Sequence, residues 1–119
     1  MSDQKRLKVT EVEDVAVVEF KDRKILDDVQ IQEIGQEFND LVEVAKKRSI
    51  LLNFSHVEFL SSSALGKLIS LDKQVKQQDG HLKMSNIRPE IMEVFAITRL
   101  NKLFDIKDDV PDALAAFRG

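Results

Sequence analysis

The chain has 119 residues, of which 43% are apolar, and a net charge of −3 at pH 7. We therefore expect a single domain over residues 1–119, with its core at about residues 6–117. The mild, interspersed charge argues against nucleic acid or a membrane surface as a partner. Because the sequence contains no cysteine, disulfides, thiolate catalysis and cysteine-ligated metal are excluded. The lack of a signal-peptide core or a span-length apolar run predicts a soluble, cytoplasmic protein.

The first 20 residues have the pattern of a β-hairpin. Two apolar runs, 7–12 and 15–20, are separated by Glu13-Asp14, although no glycine marks the turn. The second run loses the alternation of apolar and polar residues. That loss indicates a strand that is covered on both faces.

A first helix is predicted after Asp27-Asp28, with an aspartate as its N-cap. Its apolar face consists of Ile31, Ile34, Phe38, Leu41, Val42 and Ala45. The basic residues Lys46, Lys47 and Arg48 follow. We interpret them as a solvated helix end that complements the helix dipole, not as a binding patch.

The central stretch runs from Ile50 to Leu71 and changes its period on the way. Residues 50–54 are a short apolar run typical of a buried strand, whereas Ala64, Leu68, Leu71 and Val75 recur at helical spacing. Three serines, Ser61-Ser62-Ser63, lie where the helix begins. Hydroxyls at that position ordinarily cap a helix, and this helix is expected to end at Asp79-Gly80.

The rest of the chain continues the alternation of strands and helices. A strand is predicted at 81–85, a short helix opened by Pro89, a last strand at 103–106 and a last helix at 109–117. The fold class is therefore α/β. We expect a mixed sheet of four to five strands, made of an N-terminal hairpin and right-handed parallel crossovers, with about four helices.

The central string ILLNFSHVEFLSSSALG resembles, without a gap, the LVLDLSGVTFLDSSGLG pattern of the STAS domain of bacterial anti-sigma factor antagonists. Residues Thr98-Arg99-Leu100 and Leu103-Phe104 are similar to that family's TGL and LF positions, so the resemblance covers nearly the whole chain. It implies the STAS fold. It also implies phosphorylation at Ser62, with Ser63 and Ser61 as alternatives.

The resemblance further implies partner switching. An unmodified antagonist would bind an anti-sigma factor serine kinase, phosphorylation would release it, and a PP2C-like phosphatase would reset it. The expected docking surface includes Asp27, which falls on a GELD-like family motif, together with Ser61, Ser62, Ser63 and Leu65. The protein is expected to be a monomer or a weak dimer.

Three positions depart from the family pattern, and they leave a second function open. The family's aspartate before the phosphorylated serine is Ser61, its following glycine is Ala64, and its strand-end aspartate is Asn53. The alternative is an unphosphorylated STAS interaction module, either a scaffold in a signalling assembly or a partner of a lipid transporter.

No enzyme activity, cofactor or metal site is expected. A serine hydrolase is a remote third alternative, because Leu60 and Ala64 stand where the nucleophile elbow requires glycines. His56 and His81 lack the spacing of metal ligands, and the four glycines never cluster into a phosphate-binding loop.

Overall fold

The computed structural model describes residues 5–118, which contain a mixed five-stranded sheet and five helices. The strands of this sheet are β1 (Leu7–Val12), β2 (Val15–Phe20), β4 (Ser49–Asn53), β6 (His81–Ser85) and β7 (Asp105–Lys107). Their spatial order is β1-β2-β4-β6-β7, with β1 antiparallel to β2 and all other neighbours parallel. The predicted mixed α/β sheet is confirmed.

The helices are α1 (Asp28–Glu43), α2 (Ser62–Gln77), α3 (Pro89–Ile97), α4 (Leu100–Leu103) and α5 (Val110–Arg118). Two short strands outside the main sheet, β3 (Lys24–Ile25) and β5 (Phe59–Leu60), pair in parallel. The sequence pattern did not predict this pair, because two residues are too few to show a period. No helix within residues 5–118 is long and apolar enough to cross a membrane.

The sheet is buried on both faces at β2, as the uninterrupted apolar run in that strand predicts. Ala16, Val18 and Phe20 join the larger core cluster, which includes the apolar faces of α1, α2 and α3. Val15 and Val17 join a smaller cluster on the other face, where α5 packs. The alternation along one strand thus holds helices on both faces of the sheet.

The hairpin turn is made without glycine. Glu13 and Asp14 have φ of 52° and 68°, the positive values that a type I′ turn requires at both central residues. Arg118 of α5 forms an ion pair with Glu13, so the last helix is anchored to this turn.

The predicted last strand begins two residues later than expected. Residue 103 ends α4, and the strand begins at Asp105. Leu100 and Phe104, four residues apart, are both buried, which is helical spacing. The left-handed Arg99, with φ of 64°, separates α3 from α4 at the position where the family has glycine.

The basic cluster after α1 lies outside the helix. The helix ends at Glu43, and Lys46 adopts a left-handed conformation with φ of 58°. Of the three basic side chains, Arg48 contacts the helix end by donating to the carbonyl oxygen of Val42 at 3.3 Å. Lys47 instead pairs with Glu11 of β1. The expected dipole complementarity is therefore provided by Arg48.

Candidate functional site

The pairing of β3 with β5 brings the N-termini of α1 and α2 side by side. Ile25 lies opposite Leu60, and the next N–H along the chain, that of Ser61, donates to the carbonyl oxygen of Ile25 at 3.0 Å. Each short strand leads directly into a helix, through Asp27 in one case and Ser61 in the other. Two helix N-termini, each with partial positive charge, therefore meet at one surface.

Ser61 is the N-cap of α2. Its Oγ accepts from the N–H of Ala64 at 3.2 Å, and its carbonyl oxygen accepts from the N–H of Leu65 at 3.1 Å. The side chain is only partly exposed. Its hydroxyl oxygen is therefore already used to satisfy a backbone donor of the first turn.

Ser62 and Ser63 are the first two residues of α2, and both are exposed. Neither hydroxyl makes a hydrogen bond with any residue between 5 and 118. Of the three serines, these two present hydroxyls that a second protein can reach without breaking the helix cap.

Asp27 is exposed and is the N-cap of α1 in a reciprocal capping box. Its Oδ2 accepts from the N–H of Gln30 at 3.2 Å, while the Oε1 of Gln30 accepts from the N–H groups of Leu26 and Asp27 at 3.0 and 3.2 Å. The amide of Gln30 also donates to the carbonyl oxygen of Lys24 at 2.9 Å. This buried glutamine fastens β3 to α1 and holds Asp27 at the shared surface.

Leu65 lies in the core with 7% of its surface exposed, so it is not part of the open surface around the serines. It lines a pocket between β5, α2 and α3. This pocket is therefore a route by which a partner could contact Leu65.

Three exposed apolar side chains lie on the segments around the two helix N-termini, and the sequence analysis missed them. Leu26 is 53% exposed, Val29 is 62% exposed and Phe59 is 53% exposed. Leu26 precedes the N-cap of α1, Val29 is in the first turn of α1, and Phe59 is in β5, which leads to Ser61. Val29 could have indicated this surface from the sequence alone, because it is an apolar residue that lies outside the apolar face of the first helix.

Each departure from the family pattern keeps a local structural role. Ser61 caps α2 as an aspartate would, since both residue types are strong N-caps. Ala64 is 5% exposed and packs in the core inside the first turn. The Oδ1 of Asn53 accepts from the N–H of Ser55 at 2.9 Å, a bond that an aspartate also makes.

Within residues 5–118 no group of three or more histidine, aspartate or glutamate side chains could hold a metal ion. His56 and His81 are both exposed. Neither is hydrogen-bonded to Ser62 in the part of the chain that the structure describes, so no nucleophile and base pair is assembled there.

The STAS domain family model matches residues 6–113, and the chain belongs to this family. The protein BtrV of Bordetella bronchiseptica, named as a candidate anti-sigma factor antagonist, is 28% identical over 72 residues, which are 60% of this chain and 62% of BtrV. The anti-sigma-B factor antagonist of Bacillus subtilis is 36% identical over 50 residues, 42% of this chain and 46% of the relative. Both matches span less than two thirds of the relative's length.

Solved structures with the same fold cover nearly the whole chain. A candidate anti-sigma factor antagonist of Thermotoga maritima has a TM-score of 0.83 at 21% identity, over 95% of each chain. SpoIIAA of Bacillus in its phosphorylated form has a TM-score of 0.72 at 15% identity, over 95% of this chain and 99% of SpoIIAA. The predicted STAS fold is thereby confirmed.

Proposed function

We propose that this protein is an anti-sigma factor antagonist whose binding to a kinase-type anti-sigma factor is controlled by phosphorylation of Ser62. The observation that carries the proposal is an exposed serine hydroxyl at the start of α2, beside the N-terminus of α1. The unmodified protein binds the anti-sigma factor and so frees a sigma factor. Phosphorylation by that kinase ends the complex, and a PP2C-like phosphatase restores it.

The site can accept a phosphate without rearrangement of the fold. Phosphorylation adds close to two negative charges, and Ser62 is the first residue of α2, where the helix dipole favours an anion by about 0.3–1 kcal/mol. SpoIIAA, which shares this fold, is the subject of structures of both its phosphorylated and its unphosphorylated form.

Docking makes the same phosphate unfavourable. The exposed apolar side chains of Leu26, Val29 and Phe59 belong to the same region of paired helix N-termini as the serines, and they are suited to burial against a partner. A dianion buried under that contact loses its water, which opposes docking unless the partner supplies compensating charge. A penalty of about 2–4 kcal/mol weakens binding by roughly 30-fold to 1000-fold, enough for a switch.

The experiment combines phosphorylation with binding. The purified protein is incubated with candidate anti-sigma factor kinases and ATP, and the modified residue is mapped by mass spectrometry. We expect modification at Ser62, and none there in Ser62→Ala. By calorimetry, Ser62→Ala should bind the kinase like the wild type, whereas Ser62→Glu should bind at least about tenfold more weakly because it adds a charge to the contact.

Ser70→Glu is the matched control and should bind like the wild type, because it places the same charge at an exposed position of α2 about two helical turns from Ser62, outside the proposed docking surface. Equal affinities for Ser62→Ala and Ser62→Glu would refute the electrostatic switch. Stable binding to a partner without an ATP site, with no modification of residues 61–63, would instead support the constitutive scaffold that the departures at Ser61 and Ala64 leave open.

A further inference from the structure

The pocket beside the serines is open and apolar, with a volume of about 350 Å³ including its mouth. Its apolar lining is formed by Phe59, Leu60, Leu65, Ile91 and Val94. Leu65 is three residues after Ser62 on α2, so the α2 wall of the pocket lies one helical turn from the proposed phosphorylation site. Phe59 and Val94 keep 53% and 40% of their surfaces exposed, so the parts of the wall that they form are open to solvent.

Two carboxylates complete the rim, and they differ in their pairing. Glu58 lies 3.8 Å from the guanidinium groups of both Arg23 and Arg88. Glu90, in the first turn of α3, is exposed and forms no ion pair with any residue between 5 and 118. The α3 wall of the pocket therefore carries a carboxylate that is available to a cation, on the side opposite Ser62.

We infer that the pocket receives an apolar side chain of the partner, and that a lysine or arginine next to that side chain in the partner pairs with Glu90. The inference rests on the proposed function and identifies the partner segment that the site recognises. An apolar anchor in a desolvated pocket with a polar rim is the usual arrangement of an interface hot spot. The charge of Glu90 selects a basic neighbour for that anchor.

The apolar anchor and its basic neighbour are both compatible with a switch by phosphorylation of Ser62. The apolar anchor enters between α2 and α3, and the cation remains on the α3 side. A phosphate on Ser62 is on the α2 side, where it meets the apolar part of the contact. Phosphorylation therefore opposes docking even though the partner segment is basic.

The first test measures binding of the kinase that modifies Ser62 to three variants in α3. Val94→Asp charges the pocket wall and is expected to weaken binding by about 30-fold, whereas Glu90→Lys reverses the rim charge and is expected to weaken it by about tenfold. Ile97→Asp is the matched control, because Ile97 is 82% exposed on the same helix but does not line the pocket. It should bind within about twofold of the wild type.

All three substitutions are at exposed positions, and circular dichroism and thermal melts check that each variant folds. Wild-type affinity in both Val94→Asp and Glu90→Lys would overturn the inference while leaving the phosphorylation switch intact. Failure of the wild-type protein to be phosphorylated or bound would instead overturn the proposed function.

The second test examines the pocket without any kinase. The ¹⁵N-labelled protein is titrated with the capped dipeptides acetyl-Leu-Arg-amide and acetyl-Leu-Glu-amide. We expect saturable shifts at the amides of Phe59, Leu65 and Val94 with the basic peptide, with a Kd on the order of millimolar for so small a ligand. These shifts should be absent with the acidic peptide, and the shifts with the basic peptide should be smaller in Glu90→Lys. No shifts, or equal shifts with both peptides, would overturn the inference.

Discussion

Single side chains at the shared surface have structural as well as binding roles. Ser61 and Asp27 both accept a hydrogen bond from the first turn of the helix that follows. Replacing either by alanine therefore removes a cap along with any partner contact. Residue-scale tests of the docking surface must keep the cap and change only the charge.

Asp27 offers such a pair of substitutions. Asp27→Asn keeps an N-cap acceptor and should leave the free energy of unfolding within about 0.5 kcal/mol of the wild type, whereas Asp27→Ala should lower it by about 1 kcal/mol. If the carboxylate contacts the partner, as we propose, Asp27→Asn should still weaken kinase binding by roughly tenfold. Urea unfolding and calorimetry measure the two quantities. Wild-type affinity in Asp27→Asn would remove Asp27 from the docking surface.

At the scale of elements, the connection from α2 to β6 depends on a close approach between backbones. Gly80 was predicted as a helix terminator, but the left-handed residue there is Asp79, with φ of 59°. A Cβ on Gly80 would lie 2.5 Å from the carbonyl oxygen of Arg48 and 3.0 Å from a methyl carbon of Val75. Glycine is required at position 80 because a side chain would collide with a neighbouring segment, not because of its own φ.

We therefore expect Gly80→Ala to lower the free energy of unfolding by about 1–3 kcal/mol, since the backbone must move to relieve the contact. Gly66 in α2 is the matched control, because a Cβ there meets nothing within 4 Å. Gly66→Ala should raise stability by about 0.5–1 kcal/mol through its better helix propensity. Urea unfolding with unchanged m-values checks both. Equal effects of the two substitutions would contradict this account.

At the scale of the whole molecule, the edge strand β7 is held by charges as well as by backbone pairing. Asp105 of β7 pairs with Lys83 of β6 and with Lys107. Partial burial raises the pKa of the Asp105 carboxyl, but the hydrogen bonds and charges of Lys83 and Lys107 outweigh it, so the pKa lies below its ordinary value of 3.8. The centroid of the Phe117 ring in α5 lies 5.1 Å from the Nζ of Lys83. This contact connects the charged cluster to the last helix.

This lowered pKa predicts how the cluster contributes to acid stability. Its stabilisation is fully present above the ordinary value of 3.8 and is lost as the pH falls through the lower folded-state pKa. Asp105→Asn should be less stable than the wild type at pH 7, and the difference should shrink at acid pH, where the wild-type carboxyl is protonated too. Urea unfolding between pH 7 and pH 2 measures this difference in the free energy of unfolding. Glu93→Gln, at an exposed position, is the control, and a pH-independent difference for Asp105→Asn would refute the assignment.

Most of the elements could be predicted from local patterns in the sequence. The hairpin, α1, α2, β6 and α3 all follow from apolar periodicity together with capping residues and Pro89. The gap-free resemblance around the three serines indicated the family, and the match over residues 6–113 confirms it. These features are encoded within short stretches of chain, so a single sequence suffices to identify them.

The arrangement of the candidate site depends on contacts between distant segments. The pairing of β3 with β5 joins Ile25 to Ser61, and no local pattern in two-residue strands predicts that contact. The same packing buries Leu65 and exposes Phe59. The sequence by itself thus determined most of the elements, the family and the position of Ser62 at a helix start. Only the tertiary structure decided which side chains surround that serine, because side-chain burial is set by segments that meet in space and lie far apart along the chain.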